Sequence, residues 1–279
     1  MLSERVIMRL VELDNVEYKR ILTKIIEDID LFCKNNNIKY YIEGGTLIGA
    51  VRHKGFIPWD DDIDIMMPRN DYERFINSYN SNNSRYKVIC INNSPNYYLA
   101  YAKVIDTRTV LKEDCDTGIE LGAYIDVFPH DSFASKEDAV KINRQVKIFR
   151  DILLAKNIRI ERSRKLYKNL ILMTMKTIGG FWSKGKLINI INNISSSQSN
   201  KEPQVMAPMV SMIYGERSIL PVDYFEKTTL VEFEGIMLPA PFKWHEFLTS
   251  VYGDYMKLPP EEKRVSHHDF KVWLKSDKD

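Results

Sequence analysis

Between Tyr40 and Met67 the chain reads YYIEGGTLIGAVRHKGFIPWDDDIDIMM, and this stretch leaves few folds open. Tyr40–Ile42 is apolar and predicts a strand. Gly44-Gly45 follows, then Thr46, an expected N-cap for a short helix over Leu47–His53. Gly55 is the expected end of that helix. Pro58-Trp59 leads into Asp60-Asp61-Asp62-Ile63-Asp64-Ile65-Met66-Met67. Side chains alternate faces along a strand, so Asp62 and Asp64 are expected on one face and Ile63, Ile65 and Met67 on the core face. Two neighbouring carboxylates on one face repel each other unless a proton or a cation lies between them. Carboxylate oxygens suit a hard ion, Mg²⁺ or Mn²⁺. The sixth position of an EF-hand loop must be Gly, and Ile65 stands there, so that motif is excluded. An acidic turn beside a strand is often only solvated. What argues for chemistry here is the Gly-Gly turn one short helix away, since a helix N-terminus cradles phosphate. Phosphate and cation sites on one small scaffold are how phosphoryl transfer is built.

The chain also resembles a known family, LicD, a branch of the nucleotidyltransferase-like superfamily that includes the fukutin-type proteins. The residues that carry the resemblance are Glu43 to His53 and Ile57 to Asp64. Two further stretches join them. In Thr117 to Pro129, Asp126 stands inside an apolar strand and is followed by Val127-Phe128-Pro129. A buried Asp is costly unless it is hydrogen-bonded, paired or metal-bound, and the resemblance makes this one the third acidic position beside Asp62 and Asp64. Tyr252 to Pro260, with Lys263-Arg264 and His267-His268, is similar to the C-terminal signature of the family.

Composition sets the remaining bounds. The chain has 279 residues, 44% hydrophobic and 28% charged, as in an ordinary globular protein. No apolar run approaches the ~18 residues that span a bilayer. Charges within MLSERVIMRL argue against a signal peptide. Cys33, Cys90 and Cys115 lie far apart and form no CxxC, so neither a disulfide framework nor a zinc ribbon is expected, and a reducing cytoplasm is the simple inference. His245-Glu246 lacks a second His at zincin spacing. No Walker A sequence, nucleic-acid module or internal repeat is visible. Charge is uneven: Lys141 to Lys186 holds thirteen Lys/Arg against Asp151 and Glu161, a net +11, which leaves about −9 elsewhere in a chain of net +2. Such asymmetry points to an anionic partner.

Periodicity predicts helices over 16–33, 71–79, 136–157, 162–177, 186–194 and 243–252, strands over 86–91, 99–106 and 109–112, and a hairpin over 228–238. The expected fold is α+β: a small mixed nucleotidyltransferase-like sheet flanked by helices. It divides into a catalytic core over 1–135, a basic helical insertion over 136–200 and a C-terminal lobe over 201–279.

The resemblance implies Mg²⁺-dependent transfer of a phospho-substituent from a nucleotide diphosphate donor to a sugar hydroxyl. The implied donor is CDP-choline, with CMP released. The implied acceptor is a cell-surface glycan, such as lipopolysaccharide or a teichoic acid precursor, on a lipid-linked oligosaccharide. Asp62, Asp64 and Asp126 would hold one or two ions, with Asp126 nearest to act as base. Gly44, Gly45 and Thr46 would cradle phosphate. Arg52, His53, Lys54 and Lys103 would neutralise the leaving CMP. Choline needs an aromatic cage, which the fifteen tyrosines and Trp59 permit without locating it. Lys263, Arg264, His267 and His268 would contact substrate. Adjacent histidines point apart, so they are not expected as paired metal ligands. Ribitol, glycerol or ethanolamine in place of choline, transfer of the nucleotide itself, and a noncatalytic glycan-binding role remain open alternatives. The basic segment 158–186, with cations interleaved among Ile, Leu, Met, Phe181 and Trp182, is expected to make peripheral contact with an anionic membrane at its cytoplasmic face, or else to be a solvated helical face.

Overall fold

The computed structural model describes residues 9–81, 85–113, 119–158, 160, 165–197, 202–266 and 270–276. It opens with strand β1 (Arg9–Glu12) and helix α1 (Asn15–Asn35), which starts on a capping box between Asp14 and Glu17. Then come β2 (Tyr41–Ile42), α2 (Gly44–His53), β3 (Asp64–Pro68) and α3 (Arg69–Ser78). Strands β4 (Tyr86–Ile89), β5 (Ala102–Asp106), β6 (Thr109–Glu113) and β7 (Tyr124–Phe133) follow, then α4 (Lys136–Asn157), α5 (Leu166–Gly179) and α6 (Lys184–Ser195). The chain continues through β8 (Val205–Ala207), β9 (Leu220–Pro221), the hairpin β10 (Thr228–Phe233) and β11 (Ile236–Pro241), α7 (Trp244–Tyr252) and β12 (Phe270–Ser276).

The central sheet runs β2-β3-β7-β5-β4, with β8 and β9 added along the far half of β7. Only β3 and β7 pair in parallel; the other pairings are antiparallel, so the sheet is mixed as expected. Ile63, Ile65 and Met67 are buried, as expected; Met66, between them on the other face, is buried too, in a region where α2 and α3 pack on β3 and α1 and α3 on β7. A strand covered on both faces reads as a continuous apolar run. The helix α2 also differs from its expected limits. It begins at Gly44 with Glu43 as an N-cap that makes no side-chain hydrogen bond, and Thr46 lies inside its first turn. At its other end Lys54, not Gly55, takes the left-handed conformation (φ 57°) that closes the helix.

One apolar core joins α1, α2, α3 and the sheet to the β10–β11 hairpin and α7. A second lies where α4 and α6 pack with Phe133, Ala207 and Met209. In a separate antiparallel sheet, β1-β12-β6, the strand β6 matches the expected strand over 109–112, whereas β1 and β12 had no counterpart in the periodicity and pair residues more than 260 positions apart, such as Arg9 with Ser276. Cys33 and Cys90 are buried free thiols; Cys115 lies outside the described residues.

Strand β7 is locked to α3 by a buried ion pair. Arg69 donates from Nε to Asp131 Oδ1 at 2.7 Å and from Nη2 to Oδ2 at 3.0 Å, and reaches Asn192 on α6 at 3.1 Å. Asp131 is fully buried. Removing one partner of such a pair costs about 3–5 kcal/mol, because the other charge is stranded. Arg69→Met should therefore lose roughly that much stability in urea denaturation, and Arg69→Met/Asp131→Leu should recover most of it. A single-variant loss below about 1 kcal/mol, the scale of an exposed pair, would contradict this.

Candidate active site

The site grows from the parallel pairing of β3 and β7. Their register sets Asp64 directly beside Asp126, and the N–H of Asp126 donates to Ile63 O at 3.1 Å. Adjacent strands lie ~4.8 Å apart, so two carboxylates that leave one edge of this pair are held within each other's field. Asp62 precedes the strand by two residues and adds to it. Burial, then Asp62, Asp126, Glu43 and Asp60, push the Asp64 carboxyl well above the usual carboxylate range. Asp64 is anchored by its backbone: its N–H donates to Thr46 Oγ1 at 2.8 Å, and its carbonyl accepts from Glu43 N–H at 3.1 Å. Thr46 thus fixes the acidic strand to the first turn of α2.

Lys103, on β5, supplies the nearest positive charge. It is 3% exposed, and its Nζ donates to Asp126 Oδ1 at 2.6 Å and lies 3.4 Å from the centroid of the Tyr124 ring. Gly44 is the residue where conformation matters most. It has φ +61°, and a Cβ there would sit 3.1 Å from Asp64 Oδ2, so a side chain would be strained and would crowd the carboxylate. The open end of α2 is therefore kept bare next to Asp64.

A cleft lies beside these groups, walled by Glu43, Asp64, Phe128, His130, Tyr214 and Tyr252. It holds about 80 Å³, several times the ~10–15 Å³ that one water needs. Tyr214 and Tyr252 meet edge to face at 4.8 Å. Burial, then Tyr214, Glu43 and Asp64, hold the Tyr252 hydroxyl well above its ordinary value, so it stays protonated. His130 is buried; its Nε2 lies 3.1 Å from Glu43 Oε2, and its Nδ1 is buried without a hydrogen-bond partner. Glu43, His130, Tyr214 and Tyr252 were not singled out as site residues from the sequence. Glu43 opens the EGGT stretch and His130 follows Phe128-Pro129, so their positions beside the motifs were the available signal.

Other expected residues are placed differently. Arg52, His53 and Lys54 lie at the far end of α2, ~15 Å along its axis from Gly44. Arg52 donates to Tyr255 O and Lys54 pairs with Glu232, so the helix does not bring these cations to its own N-terminus. Trp59 lies beneath Arg264, 5.8 Å from guanidinium to ring centroid, and Ser266 donates to Asp61, so the C-terminal segment is drawn to the acidic loop. Lys263 is exposed. His267 and His268 lie outside the described residues.

Among the described residues, no three acidic, imidazole or thiol groups already stand as a coordination set. Like charges held without a cation keep their distance, and the donor set itself is all carboxylate oxygen, which fits a hard divalent ion. The residues that would hold one are Asp62, Asp64 and Asp126.

Comparison with known proteins bears on the family rather than on the site. Residues 37–151 match the family described as LicD/FKTN/FKRP, nucleotidyltransferase domain. The lipopolysaccharide cholinephosphotransferase LicD of Haemophilus influenzae is 31% identical over 264 residues, covering 90% of this chain and 95% of that protein. The human ribitol 5-phosphate transferase FKRP is 54% identical over a short stretch of 28 residues, 10% of this chain and 6% of that protein.

The Lys103 pair generates a pH prediction. A carboxyl whose folded value is raised stabilises the fold while protonated, and that contribution is lost as pH rises through the raised value. Lys103→Met removes the cation that partly offsets the cluster, so its penalty in metal-free protein should be largest at neutral pH, about 3 kcal/mol, and shrink on acidification. Denaturation of both proteins across pH measures this. A penalty that does not change with pH would contradict it.

Proposed function

The chain belongs to the LicD/FKTN/FKRP family and is a LicD-type transferase, and within that family we propose that it transfers phosphocholine from CDP-choline to a sugar hydroxyl of a lipid-linked cell-surface glycan precursor. The observation that carries the choline reading is the cleft beside Asp64. Its aromatic walls, Tyr214 and Tyr252, stand next to the carboxylates of Glu43 and Asp64. Aromatic faces with acidic neighbours suit a quaternary ammonium group.

The acceptor oxygen attacks the phosphorus that bears choline, the bond from that phosphorus to the CMP oxygen breaks, and CMP leaves with its own phosphate. A divalent cation held by Asp62, Asp64 and Asp126 would neutralise donor phosphate oxygens and ease ionisation of the acceptor hydroxyl. The bare N-terminus of α2 at Gly44-Gly45 offers backbone N–H groups to a phosphate. Lys103 holds Asp126 in place through its hydrogen bond at 2.6 Å. Burial, and then the neighbouring carboxylates, raise the basicity of Asp64, which would accept the hydroxyl proton. Arg264 and Trp59, in contact with each other, would offer a cation and an aromatic ring to the nucleotide half of the donor.

A donor screen tests this reading. CMP release with an acceptor glycan should be fastest with CDP-choline and slower with CDP-ribitol or CDP-glycerol. Chelation with EDTA should stop it. Asp62→Asn and Asp64→Asn should each cut turnover about a hundredfold or more. Tyr214→Leu should raise KM for CDP-choline roughly tenfold, the worth of one partly desolvated cation–π contact. Preference for a CDP-polyol, or an unchanged KM in Tyr214→Leu, would contradict the choline reading; undiminished release in EDTA would contradict the cation.

A further inference from the structure

The surface of α5 and its surroundings is unlike any other on the described molecule. Of the fourteen residues in this helix only Leu172 and Gly179 are buried. Its apolar side chains point outward instead: Leu166 is 88% exposed and Leu170 67%, and Phe181, just beyond the helix, is 84% exposed. Ile171, Met173 and Ile178 are exposed with them. Beside this face an open apolar groove runs between α4 and α5, lined by Leu154, Ile158, Ile171, Leu172 and Met175, with a volume of about 370 Å³. Monomeric soluble proteins rarely leave so continuous an apolar patch bare.

Charge decides what covers it. From Arg162 to Lys201 the sequence holds eight Lys or Arg residues and no Asp or Glu. On the exposed face itself Lys165 and Lys168 stand among Leu166, Tyr167 and Leu170. Asp151, at the edge of the groove, is paired with Lys147. A second copy of this chain would bring like charges together across the contact. The helix cannot cross a bilayer, since no helix among the described residues is long and apolar enough.

We propose that the α4–α5 face is a peripheral membrane-docking surface, in which Leu166, Leu170 and Phe181 enter the headgroup layer of an anionic bilayer while Lys165 and Lys168 bind its lipid phosphates. Apolar side chains interleaved with cations, with no acid on α5 itself, are what an interfacial helix requires. The α4 helix that carries this face packs against β7, the strand that bears Asp126. Docking would therefore hold the site near a lipid-borne substrate.

The test is co-sedimentation of the full chain with vesicles of phosphatidylcholine alone or mixed with phosphatidylglycerol, at low and high salt. The wild type should pellet with the mixed vesicles, and salt should weaken that binding. Lys165→Gln/Lys168→Gln should lower partitioning to mixed vesicles about fivefold per cation. Leu166→Ser/Leu170→Ser/Phe181→Ser should also lower it. All five side chains are exposed, so thermal melts should match the wild type and separate lost binding from lost folding. Absence of wild-type binding to mixed vesicles at low salt would overturn the proposal, as would both variants binding like the wild type. It would also fail if the apolar variant abolished self-association in sedimentation while vesicle binding stayed intact, which would make the face a contact between copies.

Discussion

Asp64 and Asp126 stand side by side because two strands that are distant in sequence pair in parallel, and the arrangement of the sheet follows from keeping them there. Parallel pairing at this point forces a long crossover between β3 and β7, and α3, β4, β5 and β6 fill it. That crossover returns β5 antiparallel to β7, so that Lys103 falls opposite Asp126 in register. The first turn of α2 closes the other side through Thr46 and the bare backbone of Gly44. Each element around the carboxylates either restrains one of them or leaves room beside it.

Strand β7 carries two buried-facing acids with different fates. Asp131 has both oxygens taken by Arg69 in a fork, with Asn192 completing the guanidinium, and this is a closed structural pair. Asp126 has one lysine on one oxygen and sits among carboxylates. The contrast separates a strut from a site. A fork neutralises a carboxylate and fixes its plane, whereas a single ammonium leaves the cluster with negative charge to spare. Burial first, and then that excess, raise Asp64, so its charged form calls for a cation or a proton beside it.

Much of this was readable in the residues. The α4 limits, Lys136–Asn157, coincide with the apolar period and with a Ser135 cap, and the mixed sheet and its acidic strands lie where the motifs put them. Local signals failed where a tertiary contact prevailed. Thr46 looks like a cap but is spent on the Asp64 N–H, and the helix starts three residues earlier. Met66, on the face opposite Ile65 and Met67, is buried as well, so the strand is covered on both faces. Arg52, His53 and Lys54 belong to the motif in sequence, yet ten residues of helix carry them away from the glycine turn. The cleft could not be seen at all. Tyr214 comes from a segment with no periodicity and reaches Tyr252 only through the packing of α7. Nor do β1 and β12 leave a local trace, since they pair residues more than 260 positions apart.

The central claim is that Asp64 and Asp126 form one electrostatic unit that a divalent cation completes. Calorimetric titration of Mn²⁺ into the metal-free chain in buffers of different ionisation enthalpy tests it most directly. The account predicts binding that releases a proton, tightens as pH rises through the raised value of Asp64, and weakens at least about tenfold in Asp64→Asn and in Asp126→Asn. Binding of equal strength in both variants, or binding with no proton release at any pH, would contradict it.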